Sequence, residues 1–289
     1  MRIAIIIHGE PRFCEEFDTL INQVKNIEQV DWFFYMWSNT EQQSDAEVAE
    51  LRAQLQYPHS KGYTLVAPNW CDVNRDWAME KLRSNIPAHH NIVRAEFVDH
   101  RGLTFDPPAT DNYAHEIQID NVCKSWYSLH QVDLYRQQHE TEHNFKYDAV
   151  IRSRADVAVT SELDFQSMVG LFATDKTIVL IPNNRCCGYD GVGFCDLFAV
   201  GSSEAMTVYS DCINQAWEHN RNGVKFHGET MLARHLTNND IRYTIHNFSV
   251  EIRHLGKWHS TTTGQTWASG EVPDWSFDKV YKSNFGNWA

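Results

Sequence analysis

Residues Ile3 to Ile7 form a continuous apolar run, the pattern of a strand covered on both faces in a parallel sheet. His8-Gly9-Glu10-Pro11-Arg12 breaks that run. Phe13, Phe17, Leu20, Ile21, Val24 and Ile27 then recur at spacings of three and four, which predicts an amphipathic helix. A second apolar run, Val30 to Trp37, reads as the next strand. The three pieces make a βαβ unit whose first loop lies at the carboxyl end of a strand, where open α/β sheets bind ligands.

The middle of the chain is less regular. Residues 40 to 56 read as a polar helix, Gly62 to Asp72 as holding a short strand, and Glu96 to Tyr113, with Pro107-Pro108, as a loop. Ile119, Val122, Trp126, Leu129 and Val132 mark one face of a strong helix that Asp120 or Asn121 could cap. Further strands are expected over Tyr147 to Val159, Lys176 to Ile181, Phe194 to Val200 and Arg242 to Ile245. Helices are expected over Ser203 to Asn220 and Glu229 to Leu236. Strands and helices alternate without a linker-like shift in composition, so one domain over residues 1 to 289 is expected.

Composition narrows the function classes. Lys and Arg total 25 against 38 Asp and Glu, a formal charge of −13, which argues against a nucleic-acid partner because no basic patch stands out to neutralise phosphates. In so acidic a chain, arginines set among apolar residues are candidates for holding an anion. The apolar run after Arg2 is too short for a signal-peptide core, and no run elsewhere would span a membrane. Seven cysteines without a CxxC spacing read as reduced thiols, Cys186-Cys187 included, and the expected location is cytoplasmic.

Tyr147 to Val159 carries the sharpest chemical signal. Read with a period of two, one face holds Tyr147, Ala149, Ile151, Ser153, Ala155, Val157 and Val159, and the other presents Arg152, Arg154 and Asp156 together. Buried charges need a partner, a ligand or a metal. An internal Arg–Asp ion pair fixing the sheet and a ligand site both answer that need.

The first-loop sequence HGEPR, the strand VDWFFYMWS, the helix KSWYSLHQVDLY and the strand YDAVIRSRAD, taken in order, resemble a group of bacterial and viral glycosyltransferases of the GT-A type. FCDLFAVGSSEAM and HGETML extend the resemblance downstream, so that it covers most of residues 1 to 237 and is weak over 40 to 115. It implies an α/β fold with a GT-A-like, Rossmann-type, mostly parallel sheet flanked by helices. It also implies transfer of a sugar from a nucleotide-sugar donor to a glycan or other hydroxyl acceptor. His8, Gly9, Arg12, Ser125, Arg152, Arg154 and Asp156 would contact the donor.

Where the family carries Asp-x-Asp, this chain has Arg154-Ala155-Asp156. Of that motif only Asp156 would then ligate Mn²⁺ or Mg²⁺, joined by a late histidine, with His254 ranked ahead of His246 and His259, or the arginines would take over part of the phosphate contact. Glu229 or Asp196 would be the general base, although a carboxylate opening a helix is also favoured by the helix dipole without any function. A non-catalytic GT-A-like module that binds carbohydrate on its tryptophans is the alternative. Nucleotidyl transfer is disfavoured, because the first loop lacks a glycine- and lysine-rich signature.

Overall fold

The computed structural model describes residues 1–9, 18–37, 55–59, 63–67, 75–99, 103, 105, 119–155, 157–183, 193–252, 257–260 and 266–268. For residues 55–59, 63–67, 77, 251, 252, 257–260 and 266–268 it describes the backbone alone.

The chain enters as β1 (Arg2–Gly9), α1 (Asp18–Val24) and β2 (Gln29–Trp37), then β3 (Leu55–His59), β4 (Tyr63–Ala67), α2 (Arg75–Asn85) and β5 (Asn91–Val98). The long helix α3 (Ile119–His143) leads to β6 (Ala149–Ser153), β7 (Val157–Val159), α4 (Phe165–Thr174), β8 (Ile178–Pro182) and β9 (Phe198–Gly201). There follow α5 (Ser203–Ser210), α6 (Cys212–Arg221), α7 (Gly228–Asn238), β10 (Arg242–His246), β11 (Val250–Ile252), β12 (Lys257–Ser260) and β13 (Thr266–Ala268).

Seven strands form one sheet in the order β10-β8-β9-β6-β1-β2-β5. Its pairs are parallel except those of β9, which runs against both β6 and β8. The sheet is therefore mixed α/β and mostly parallel, as expected. Alternation of side chains along each strand splits the core in two. Ile3, Ile5, Ile7, Trp32 and Phe34 pack with α1, α2 and α4 on one face, and Ala4, Ile6, Phe33 and Tyr35 pack with α3, α5, α6 and α7 on the other. Helices on both faces explain why the strands read as unbroken apolar runs. β11 pairs antiparallel with β7 in a small separate sheet, and β3, β4, β12 and β13 form a third.

Several expected boundaries change. The strand read over Tyr147 to Val159 is two strands in two sheets, broken after Ser153. The segment read as one helix over Ser203 to Asn220 is two, parted at Asp211. Residues 55 and 56, placed in a polar helix, lie in β3, and Glu96 to Val98, placed in a loop, close β5. β5 is an edge strand and half-exposed, and its apolar positions are interrupted by the Arg94–Glu96 ion pair, so its periodicity is blurred. Asp120 and Asn121 do not cap α3; both lie within its first turn, where Asp120 pairs with Lys124 at 2.5 Å. No helix among the described residues is long and apolar enough to cross a membrane. Cys123 and Cys212 are buried free thiols, and Cys195 is buried as well.

A buried ionic network pins α3 to α5 beneath the second core. Arg136 Nε donates to Asp133 Oδ1 at 2.6 Å, and its Nη1 reaches Glu140 Oε1 at 2.9 Å and Ser203 Oγ at 2.7 Å, all three charged side chains being inaccessible. Burial alone would raise the Glu140 carboxyl. Arg136 outweighs it, with the hydroxyl of Ser203, the amide of Tyr147 and the ammonium of Lys146, and holds the group below the usual carboxylate range. Removing one member of such a network leaves the others charged, buried and unpaired. Arg136→Ala is expected to destabilise the fold by about 3–5 kcal/mol in urea titration. A loss below ~1 kcal/mol would show the network to be solvated.

Candidate active site

The chain leaves β1 toward β2 and β5 on one side and leaves β6 toward β8 and β9 on the other, so the strand order reverses between β1 and β6. Ligands in open α/β sheets bind in the crevice outside the carboxyl ends of the strands at such a point. Ile7 pairs with Ser153 in the β1–β6 register, which puts His8 and Gly9 beside Arg152 to Arg154 there. Because β9 is reversed and Ser153 pairs with Phe198, the residues before β9 arrive at that same end, and they include Asp196. α7 leads into β10, which parallels β8, so the start of α7 also points there, and with it Glu229.

Gly9 closes β1 at φ 92°, in the left-handed region that glycine enters without strain. His8 is buried, and its Nε2 accepts from Arg152 Nε at 2.9 Å. An arginine only donates, so the His8 proton must sit on Nδ1, which lies 3.1 Å from Ser128 Oγ. That hydroxyl in turn donates to the Ser125 carbonyl at 2.8 Å. Burial, then the positive charges of Arg152 and Arg154, hold the His8 imidazole well below its ordinary pKa, so the ring is neutral.

Arg152 is 2 % exposed, and among the described residues no carboxylate lies within ion-pairing distance of it. Its Nη1 and the buried Tyr209 hydroxyl have no hydrogen-bond partner among the described residues. The internal Arg–Asp pair that the sequence left open as an alternative would involve Asp156, which lies outside the described residues.

The other half of the site is acidic. Gly228 opens α7, and a Cβ there would come 3.3 Å from Asp196 Oδ2, so glycine is what lets the carboxylate approach the helix start. Glu229 stands next in sequence, half-buried, with Oε2 3.1 Å from His227 Nδ1. Burial, then the charge of Asp196, push the Glu229 carboxyl up to about 8. His227 moves the other way: burial lowers it, partly offset by Asp196. A carboxyl that titrates near neutrality beside a second carboxylate is equipped to take up and release a proton.

The structure thus brings His8, Gly9, Arg152, Arg154, Asp196 and Glu229 to one end of the sheet. Arg12, Asp156 and His254, three of the expected donor or metal residues, lie outside the described residues. Three placements are corrected. Arg152 and Arg154 do not share a strand face, because β6 stops at Ser153 and Arg154 lies just past its end. Asp196 precedes β9 by two residues rather than lying within the strand expected over Phe194 to Val200. The serine whose side chain meets His8 is Ser128, one helical turn on from Ser125, which contributes its carbonyl. Ser128, Tyr209 and His227 were not singled out from sequence. The step of three from Ser125 along α3 and the place of His227 two residues before Glu229 were the only signals for two of them; Tyr209 had none beyond its place on a helix face.

Among the described residues no group of three or more histidines, cysteines and carboxylates is placed to hold a metal. No protein-family model matches the chain, and no curated protein matches it.

The Glu229 shift fixes a pH dependence. The native carboxyl keeps its proton up to about 8 while the unfolded chain releases it near the ordinary 4.5, so folding binds a proton between those values and stability falls as pH rises across that window. Glu229→Gln should therefore gain melting temperature over the parent progressively from pH 5 to pH 9. Asp196→Asn should bring the Glu229 titration, followed by carbon NMR, down from about 8 toward the ordinary value. A Glu229 titration unmoved by Asp196→Asn would leave burial as its only cause.

Proposed function

We propose that the chain is a glycosyltransferase of GT-A-like fold that moves a sugar from a nucleotide-sugar donor to a hydroxyl acceptor. One observation carries the reading above the resemblance in sequence. At the strand-order reversal, a buried guanidinium without a described counter-charge stands on one side, and a carboxyl raised to about 8 on the other. In a chain of net charge −13, a cation kept at the carboxyl end of a sheet is suited to attract a diphosphate.

In this reading the half-buried Arg154 and the backbone at Gly9 face the donor phosphates. Arg152 does not touch them; held by His8, it supplies a fixed positive field from below. Glu229 accepts the acceptor's hydroxyl proton as the oxygen bonds to the anomeric carbon and the bond from that carbon to the diphosphate oxygen breaks. The proton rests on Glu229, while the nucleoside diphosphate leaves with the bond's electron pair. A divalent cation on Asp156, when bound, would neutralise charge on the leaving diphosphate. A base that titrates near 8 is mostly protonated at neutral pH, so kcat/KM should climb about tenfold per pH unit up to that value.

The test is direct. UDP or GDP, with and without Mn²⁺, should raise the melting temperature of the intact protein, and Arg154→Ala or Asp156→Ala should abolish the rise. Glu229→Gln should keep nucleotide binding and lose roughly 10²–10⁴-fold in turnover of a nucleotide sugar. Nucleotide binding without turnover of any donor would favour the non-catalytic module. No binding under any metal condition would end the transferase reading.

A further inference from the structure

The opposite end of the sheet holds a second concave site that the proposed reaction does not use. α3 runs antiparallel to β6, so its last turns bring His139 and His143 to the amino ends of β1, β2 and β5, where Arg2 and Asn91 open their strands and Asp31 is the third residue of β2. These side chains and Phe145 line an open cleft of about 560 Å³. That volume lies inside the roughly 300–1,000 Å³ of small-molecule sites. Arg2 and Gly9 are at opposite ends of β1, roughly 23 Å apart at the rise of a strand. A small ligand in one site therefore cannot touch the other.

The walls are held in place before any ligand arrives. Asp31 Oδ1 accepts from Asn91 Nδ2 at 2.9 Å and Oδ2 accepts from the Tyr147 hydroxyl at 2.7 Å, which fixes the carboxylate and leaves one lone pair on each oxygen. Phe145 packs edge-on against Tyr147 at 4.9 Å and carries the Arg2 guanidinium over its face at 4.0 Å. His139 and His143 lie one turn apart with ring centroids 4.2 Å apart. Among the described residues nothing accepts a hydrogen bond from the Arg2 guanidinium.

The chemistry of the lining selects its occupant. A simple anion would meet Arg2 but be repelled by Asp31, and a simple cation would meet the reverse. What satisfies both is a group that donates to the carboxylate and accepts from the guanidinium, and a hydroxyl does each. The remaining lining, Val93, the Phe145 edge and the two imidazoles, adds apolar contact surface for the C–H groups of a sugar ring. We infer that this amino-end cleft is a saccharide-binding site, separate from the carboxyl-end site and independent of whether that site transfers sugars.

Titration of the full chain with galactose, maltose and glucuronic acid, read by heteronuclear NMR, tests the inference. Saturable shifts are expected at the Asn91 side-chain amide and the His139 and His143 rings, with Kd on the order of 1 mM. Arg2→Ala should weaken binding at least tenfold, and the exposed His143→Ala should weaken it less, each with an unchanged circular dichroism spectrum. Nucleoside diphosphate binding should persist in both variants. Three results would overturn it: no saturable shift with any saccharide, shifts produced only by inorganic phosphate or by zwitterionic amino acids such as glutamine, or saccharide binding unaltered in a folded Arg2→Ala protein.

Discussion

The carboxyl end of the sheet depends on His8 staying neutral. Arg152 is sealed between the strands and the α3–α5 layer, and the acceptor recorded for its Nε–H is the unprotonated Nε2 of His8. Protonating the ring would turn that hydrogen bond into two cations in contact. The fold prevents this by burying the imidazole and by setting it beside the charges of Arg152 and Arg154, while the Ser128 hydroxyl holds the ring's proton on Nδ1. Among the described residues Arg152 is met by a neutral group rather than by a carboxylate, so no described counter-charge cancels its own at this end of the sheet. The same fact carries a cost. Desolvating a cation that no described carboxylate balances is unfavourable, and the packing around Arg152 has to hold it there.

The reversed strand β9 is the second constraint. Were it parallel to its neighbours, the stretch Phe194–Leu197 would arrive at the opposite end of the sheet. Running backwards between β6 and β8, it delivers Asp196 opposite the β1 and β6 ends, and the direction of β10 turns the start of α7 to meet it. Two carboxylates drawn from segments more than thirty residues apart thus become one electrostatic unit, and the burial of Glu229 converts their repulsion into a titration near neutrality. The topology that places the arginines on one side places the two carboxyls on the other.

Much of this was legible in the sequence, and what was not has physical reasons. Ile3–Ile7 and Val30–Trp37 announced central strands because both faces are covered, leaving no polar alternation to confuse the reading. The resemblance named His8, Arg152, Asp196 and Glu229, and the fold places all four at the carboxyl end of the sheet. The break after Ser153 was invisible because alternation of small and charged residues continues past the point where the backbone leaves the sheet. β5 escaped notice because an edge strand is half-exposed and carries its own ion pair. Ser128 and Tyr209 are defined only by what packs against them across the sheet, a property of three dimensions that spacing along the chain does not encode.

The most direct test of the account is a crystal structure of the protein with a nucleoside diphosphate bound. The account predicts the diphosphate at the carboxyl ends of β1 and β6, with its oxygens within hydrogen-bonding distance of Arg154 and the backbone at Gly9, and Glu229 facing the space beyond the terminal phosphate. A nucleotide seated elsewhere, or seated there with Arg152 swung away from His8 to pair with a protein carboxylate, would contradict it.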